Sequence, residues 1–149
     1  MGCSINHPLN ESSSGIVISQ DHWAQMQAHV SSMVPEEACG LIAGEGNHAR
    51  LILPVTNILH DRYRFRMDPK EQFEAFLQAE TEGYDIIAIY HSHPKGIYRP
   101  SAADITELTF PGIIYLIWYQ EANQWHCRAY LMQSKTCTGE VPVMISKKQ

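Results

Sequence analysis

Tyr84-Asp85-Ile86-Ile87-Ala88-Ile89-Tyr90-His91-Ser92-His93-Pro94 is the stretch that decides how this chain is read. Its first seven residues are mostly apolar and β-branched, which predicts a buried strand. Side chains two apart on a strand share a face. His91 and His93 therefore aim their rings at one point, and Ser92 faces away. Pro94 has no amide proton and helps to end the strand.

Beyond it, Lys95-Gly96-Ile97-Tyr98-Arg99-Pro100 reads as a loop. Ser101-Ala102-Ala103-Asp104 then resembles a capping box, S-x-x-D, opening a short helix towards Leu108. A strand end and a helix start joined by a short loop set Asp104 beside the two histidines. Imidazole and carboxylate are the ligand types of a catalytic zinc ion, and three of them leave a fourth position for water. Taken singly, the signals are weak. S-x-x-D is most often only a cap, worth about 1 kcal/mol, and paired histidines at a strand end are most often surface residues. Their order along strand, loop and helix is what points to zinc-hydrolase chemistry.

Upstream lies Pro35-Glu36-Glu37-Ala38-Cys39-Gly40-Leu41-Ile42-Ala43-Gly44, two acids followed by an apolar run that reads as a strand. A water activated by zinc needs a group to take its proton, and a carboxylate that does not itself bind the metal can do so. Spacing alone favours two solvated acids ahead of a strand.

Glu37 followed by Ala-Cys-Gly-Leu, then His-Ser-His-Pro, then Ser101 and Asp104 at their intervals, resembles the JAMM (MPN+) metalloprotease family. The resemblance runs from about residue 16 to 145. It implies an MPN-type, cytidine-deaminase-like fold with one catalytic zinc ion, held by His91, His93 and Asp104. Glu37 rather than Glu36 would be the general base and then the proton donor to the leaving amine. Ser101 would help to stabilise the oxyanion. The resemblance also implies a stand-alone prokaryotic member, acting on the bond after the C-terminal Gly-Gly of a ubiquitin-like or sulfur-carrier protein. Such an enzyme releases a cysteine or a lysine-linked target. The alternative is a non-catalytic binding module for a ubiquitin-like partner. Acid should release the metal, because imidazole must be neutral to ligate it.

The remaining sequence is consistent with this picture. At 149 residues the chain makes one domain with a proper core. We read residues 1–14 as a flexible polar tail and 15–146 as the metalloprotease domain. The net charge of −5 and the lack of a long basic run argue against nucleic acid as a partner. The longest apolar run, 113–119, is too short to span a bilayer, and the N-terminus lacks the apolar core of a signal peptide. Met1-Gly2-Cys3 hints at N-myristoylation, but Asn6 stands where Ser or Thr is expected. Scattered cysteines without a C-x-x-C pair fit reduced thiols and a cytoplasmic location; Cys127 and Cys137 could face each other on neighbouring strands. Missing P-C-x-x-C, the chain is unlike a nucleobase deaminase. Oligomeric state is not set by the sequence.

Strands are expected at 16–19, 39–44, 49–56, 84–93, 113–119, 124–132 and 140–145, and helices at 21–33, from Asp68, and from Ser101. This alternation predicts an α/β (α+β) domain, a single mixed β-sheet flanked by helices. Phe73, Phe76 and Leu77 are expected to form the core-facing stripe of the second helix. Arg62-Tyr63-Arg64-Phe65-Arg66-Met67 alternates charge and apolar groups and reads as a charged edge strand. The less favoured reading makes it the edge to which a substrate tail adds by strand pairing.

Overall fold

A computed structural model describes residues 15–107, 110 and 112–147, apart from the side chain of Cys137. The expected N-terminal tail and the Met1-Gly2-Cys3 signal lie outside the described residues.

The elements run β1 (Ile16–Ser19), α1 (Gln20–Met33), β2 (Cys39–Glu45), β3 (His48–Val55), α2 (Pro69–Thr81), β4 (Asp85–His93), α3 (Ala102–Thr106), β5 (Ile114–Glu121), β6 (Gln124–Ser134), β7 (Cys137–Val141) and β8 (Val143–Ser146). All eight strands form one mixed sheet in the order β7-β6-β5-β4-β2-β3-β1-β8. Its end strands, β7 and β8, are consecutive in the chain with only Pro142 between them. The sheet therefore curls until its two ends meet at that corner. A proline cannot donate to a ladder, and it splits the single strand expected over 140–145 into two.

Each face of the sheet carries its own core. Met26 and Val30 of α1 pack with Ile42, Tyr90, Leu116 and Trp118 on one face, while Ala75 and Ala79 of α2 pack with Leu41, Ile89 and Met132 on the other. β4 sits centrally, antiparallel to β2 and parallel to β5. The tight fit of β2 against β4 requires Gly40, where a Cβ would lie 2.3 Å from the Tyr90 ring. Tyr90 in turn hydrogen-bonds His29 of α1 at 2.7 Å.

Helix caps match the sequence signals. Ser19 accepts from the His22 amide at the start of α1, and Asp68 accepts from the amides of Lys70 and Glu71 ahead of Pro69 in α2.

Three readings need correction. Helix α2 turns Ala75 and Ala79 to the sheet, leaving Phe73 62% and Leu77 47% exposed. Small side chains let the helix approach closely, and only Phe76, edge-on to Phe110, keeps part of its expected role. Residues 62–67 are not a strand: among the described residues they make one isolated bridge, Asn57 to Met67, with the Ile58 amide donating to the Arg66 carbonyl beside it. The Arg66 amide and the Arg64 carbonyl, which a ladder would use, are taken by the Asn57 side chain instead. Finally, Cys137 is in register with Ser134 and Cys127 with Trp118, so the ladders do not pair the two cysteines.

Candidate metal centre

β4 delivers the two histidines as its period demands. His91 and His93 are 0% and 4% exposed and point to the α2 side of the sheet. Ser92 points to the other side, where its Oγ accepts the Ala38 amide at 2.8 Å. That bond ties the end of β4 to the residue after Glu37. Cys39 pairs with His91 across the antiparallel ladder, and continuing that register by two residues sets Glu37 opposite His93.

Helix α3 delivers the aspartate. Ser101 Oγ accepts the Asp104 amide at 3.1 Å, and the Ser101 amide donates to Asp104 Oδ2 at 2.8 Å. The capping box is thus complete, and its reciprocal bond aims the carboxylate backwards, into the cleft below β4. The same S-x-x-D signal is both a cap and the device that orients Asp104. Serving as acceptor in the cap leaves the Ser101 hydroxyl proton for an outside acceptor.

The three side chains converge. His91 Nε2 lies 3.1 Å from His93 Nε2 and 3.1 Å from Asp104 Oδ2, and His93 Nε2 lies 3.0 Å from the same oxygen. His93 Nδ1–H donates to the Ile97 carbonyl at 2.8 Å. A neutral His93 ring therefore carries its proton on Nδ1 and presents a bare lone pair at Nε2. His93 Nε2 and Asp104 Oδ2 are then both lone-pair atoms only 3.0 Å apart, a closeness that a cation among the three would relieve. Zinc bonds of 2.0–2.1 Å in a tetrahedron place neighbouring ligand atoms about 3.3 Å apart, near the spacing here. Donor chemistry and geometry both fit a zinc ion.

Glu37 completes the cluster. One carboxylate oxygen lies with the three ligand atoms in a group spanning no more than 4.8 Å. The side chain is 1% exposed, and its Oε1 has no hydrogen-bond partner among the described residues. Burial first, and then the Asp104, Asp61 and Glu107 carboxylates, push its pKa up to about 9. Asp104 goes the other way: burial works against its charge, but in the metal-free protein the His91 and His93 rings, when they carry the facing proton, outweigh it and hold the carboxyl well below its usual range. Glu36 is separated from all this, paired with His60 at 3.1 Å on the surface.

Two contributors are not evident from the sequence. Asn57, 1% exposed, donates to the carbonyls of Glu37 (3.0 Å) and Arg64 (3.1 Å) and accepts from the amides of Leu59 (3.1 Å) and Arg66 (3.0 Å). It pins the backbone of the acid and of the 62–67 segment together. An Asn just past a strand is a turn signal and marked the place, though not the role. Phe65 stacks on His91, with centroids 4.6 Å apart and 27° between planes. Beside it opens a cavity of about 340 Å³, lined by Phe65, Met67, Ile89, Phe110 and Tyr115 with Arg66, Gln72 and Glu107 as polar groups. Arg64 and Glu107 form an ion pair between the 62–67 segment and the end of α3.

Residues 19–131 match the family described as prokaryotic homologs of the JAB domain. The chain belongs to that family. This JAB-domain chain is 37% identical over 99 residues to a desampylase from Haloferax volcanii, covering 61% of this chain and 70% of that protein. It is 30% identical over 128 residues to a CysO-cysteine peptidase from Mycobacterium tuberculosis, covering 84% and 88% of the two. Among solved structures, a Desulfitobacterium hafniense protein determined in solution superposes with a TM-score of 0.81 at 29% identity, covering 89% of this chain and 94% of that one. No helix among the described residues is long and apolar enough to cross a membrane.

Proposed function

We propose that this JAB-domain protein is a zinc metalloprotease that cleaves the peptide or isopeptide bond after the C-terminal Gly-Gly of a ubiquitin-like or sulfur-carrier protein. The observation that carries this reading is the buried Glu37 carboxylate, its Oε1 without a partner among the described residues, beside a convergent His91, His93 and Asp104 set. A structural zinc site has no need of an unpaired buried acid; a hydrolytic one does. The names of the relatives, desampylase and CysO-cysteine peptidase, support the substrate class.

His91, His93 and Asp104 hold the zinc ion. When bound, zinc supplies an acidified water, with its pKa drawn towards ~7, and a Lewis acid for the scissile carbonyl. Glu37 takes the proton from the attacking water and returns it to the departing nitrogen. A cation held by the neighbouring ligands would favour the ionised carboxylate that makes the first transfer, and burial keeps the proton from escaping to solvent before the second. Ser101 donates its hydroxyl proton to the oxygen on which negative charge grows. The adjoining cavity is at the small end of ligand pockets and suits a slender, extended tail, with Phe65 as its wall against His91. Phe73 and Leu77, exposed on α2 close to the cavity residue Gln72, lie where the body of the partner protein would rest. Residues 15–146 form the metalloprotease domain, and the free thiols of Cys39 and Cys127 fit residence in the cytoplasm.

The test is hydrolysis of small β-grasp proteins extended beyond Gly-Gly, either by a peptide bond or through a lysine. Wild type should cleave and a chelator should abolish cleavage. Glu37→Gln should lose about 10²–10⁴-fold in turnover while keeping its zinc, and Asp104→Ala should lose the zinc. A Glu37→Gln protein that cleaves like wild type, or a wild type that binds the partner without cutting it, would favour the binding module.

A further inference from the structure

The loop between β4 and α3 has no regular structure, yet the setting of His93 depends on it. The His93 ring donates to the Ile97 carbonyl, and the Gly96 amide closes a turn back to the His93 carbonyl at 3.1 Å. A Cβ on Gly96 would lie 2.7 Å from His93 Cβ, so the loop sits directly against the base of the ring.

What holds this loop comes from strand β6. Tyr130 OH donates to the Tyr98 carbonyl at 2.5 Å, one residue past Ile97. Tyr130 is 5% exposed, and its hydroxyl is spent on a loop carbonyl. Burial, and then Glu140, push that phenol up to about 12, so it keeps the proton it donates. Arg128 stands 4.1 Å over the Tyr98 ring. The guanidinium is itself fixed by Tyr119 OH at 3.2 Å and Glu140 at 3.5 Å. Tyr98 is thus gripped at both main chain and side chain although 41% of it is exposed. A half-exposed tyrosine on an irregular loop does not hold its place without such anchors.

We propose that Tyr130 and Arg128 are positioning residues of the metal centre, clamping the 94–100 loop so that the Ile97 carbonyl holds the His93 ring with Nε2 turned towards His91 and Asp104. This rests on the reading of His93 as a zinc ligand. Partners that orient a ligating histidine contribute about 10–100-fold in metal affinity, and here that contribution is relayed through one loop from residues outside the His91, His93 and Asp104 set.

The experiment is zinc affinity by competition with a chromophoric chelator, on Tyr130→Phe, Arg128→Ala and the double variant. Each single change should raise the dissociation constant about 10-fold, and the double change should raise it further. The visible absorption of the cobalt-substituted protein should shift in the same variants. Arg128→Lys keeps a cation over Tyr98 and should fall between wild type and Arg128→Ala. Gly96→Ala displaces the same loop from the opposite side and should weaken zinc similarly, which keeps the test alive if a strand variant fails to fold. In the metal-free protein, long-range ¹H–¹⁵N NMR should find His93 protonated on Nδ1 in wild type and less so in Tyr130→Phe. Wild-type zinc affinity and an unchanged His93 tautomer in the folded double variant would overturn the proposal. A wild type that binds no zinc would instead defeat the functional reading, and the clamp with it; the two failures are told apart because only the second appears without mutation.

Discussion

Glu37 is the side chain whose state matters most, and its burial makes a measurable prediction. Its folded pKa, about 9, lies above the ordinary value of 4.5. Between those two values the unfolded chain releases this proton and the folded chain keeps it, so ionisation favours unfolding. The metal-free protein should therefore lose stability as pH rises from about 4.5 to about 9, by up to about 1.4 kcal/mol per pH unit from this group. Asp104 acts oppositely: its pKa is depressed, so its contribution is present above the ordinary carboxylate range and fades as pH falls through it. Denaturant titrations of metal-free wild type and Glu37→Gln at several pH values check this. The variant should lack the alkaline decline, and zinc should restore stability to wild type by favouring the ionised acid. Equal pH profiles for the two proteins would mean that Glu37 is solvated rather than buried. Nothing local to Pro35-Glu36-Glu37 distinguishes the two acids, since the difference comes from the pairing of β2 with β4, which is remote in sequence. Only the resemblance of the Glu-Ala-Cys-Gly run selected Glu37.

Among the elements, those with local signals were legible and those set by tertiary fit were not. β4 was readable because period two and β-branching agree, and α3 because its capping box is complete in four residues. Helix α2 had a clear start at Asp68-Pro69, but its buried face was misjudged by weighing large apolar residues over alanines. Phe73→Lys should accordingly change stability by no more than about 0.5 kcal/mol, whereas Ala75→Leu should cost about 1–3 kcal/mol through overpacking; thermal unfolding of the two variants decides it, and the reverse ranking would restore the original reading of the helix. The β5–β6 hairpin gives a second case. Ala122 and Asn123 both have positive φ, 53° and 63°, as a two-residue type I′ turn requires. A left-handed alanine costs about 1–2 kcal/mol, so Ala122→Gly should stabilise the protein by about 1 kcal/mol in urea unfolding, and a loss of stability would contradict this turn geometry. The arginine-rich 62–67 segment was misread because its alternation mimics a strand, while a single buried Asn57 absorbs the backbone groups that pairing would need.

The architecture as a unit explains why so few residues define the centre. A curled mixed sheet with β4 near its middle buries two histidines on one face, and a loop only eight residues long (94–101) returns the chain to place Asp104 beneath them. β2, the antiparallel neighbour of β4, brings Glu37 alongside. One mixed sheet with three helices was foreseeable from alternation of patterns, but the split of its last strand and the closure at the Pro142 corner were not, because they depend on strand order. The central claim is that these elements assemble one zinc site from two imidazoles and one carboxylate, with Glu37 outside the ligand set. Zinc K-edge X-ray absorption on the purified protein tests that most directly, read beside metal content for wild type and Glu37→Gln. One zinc per chain, two imidazole ligands, oxygen for the remainder and the same spectrum in Glu37→Gln is the predicted result. A sulfur ligand, a single imidazole, or loss of zinc in Glu37→Gln would contradict it.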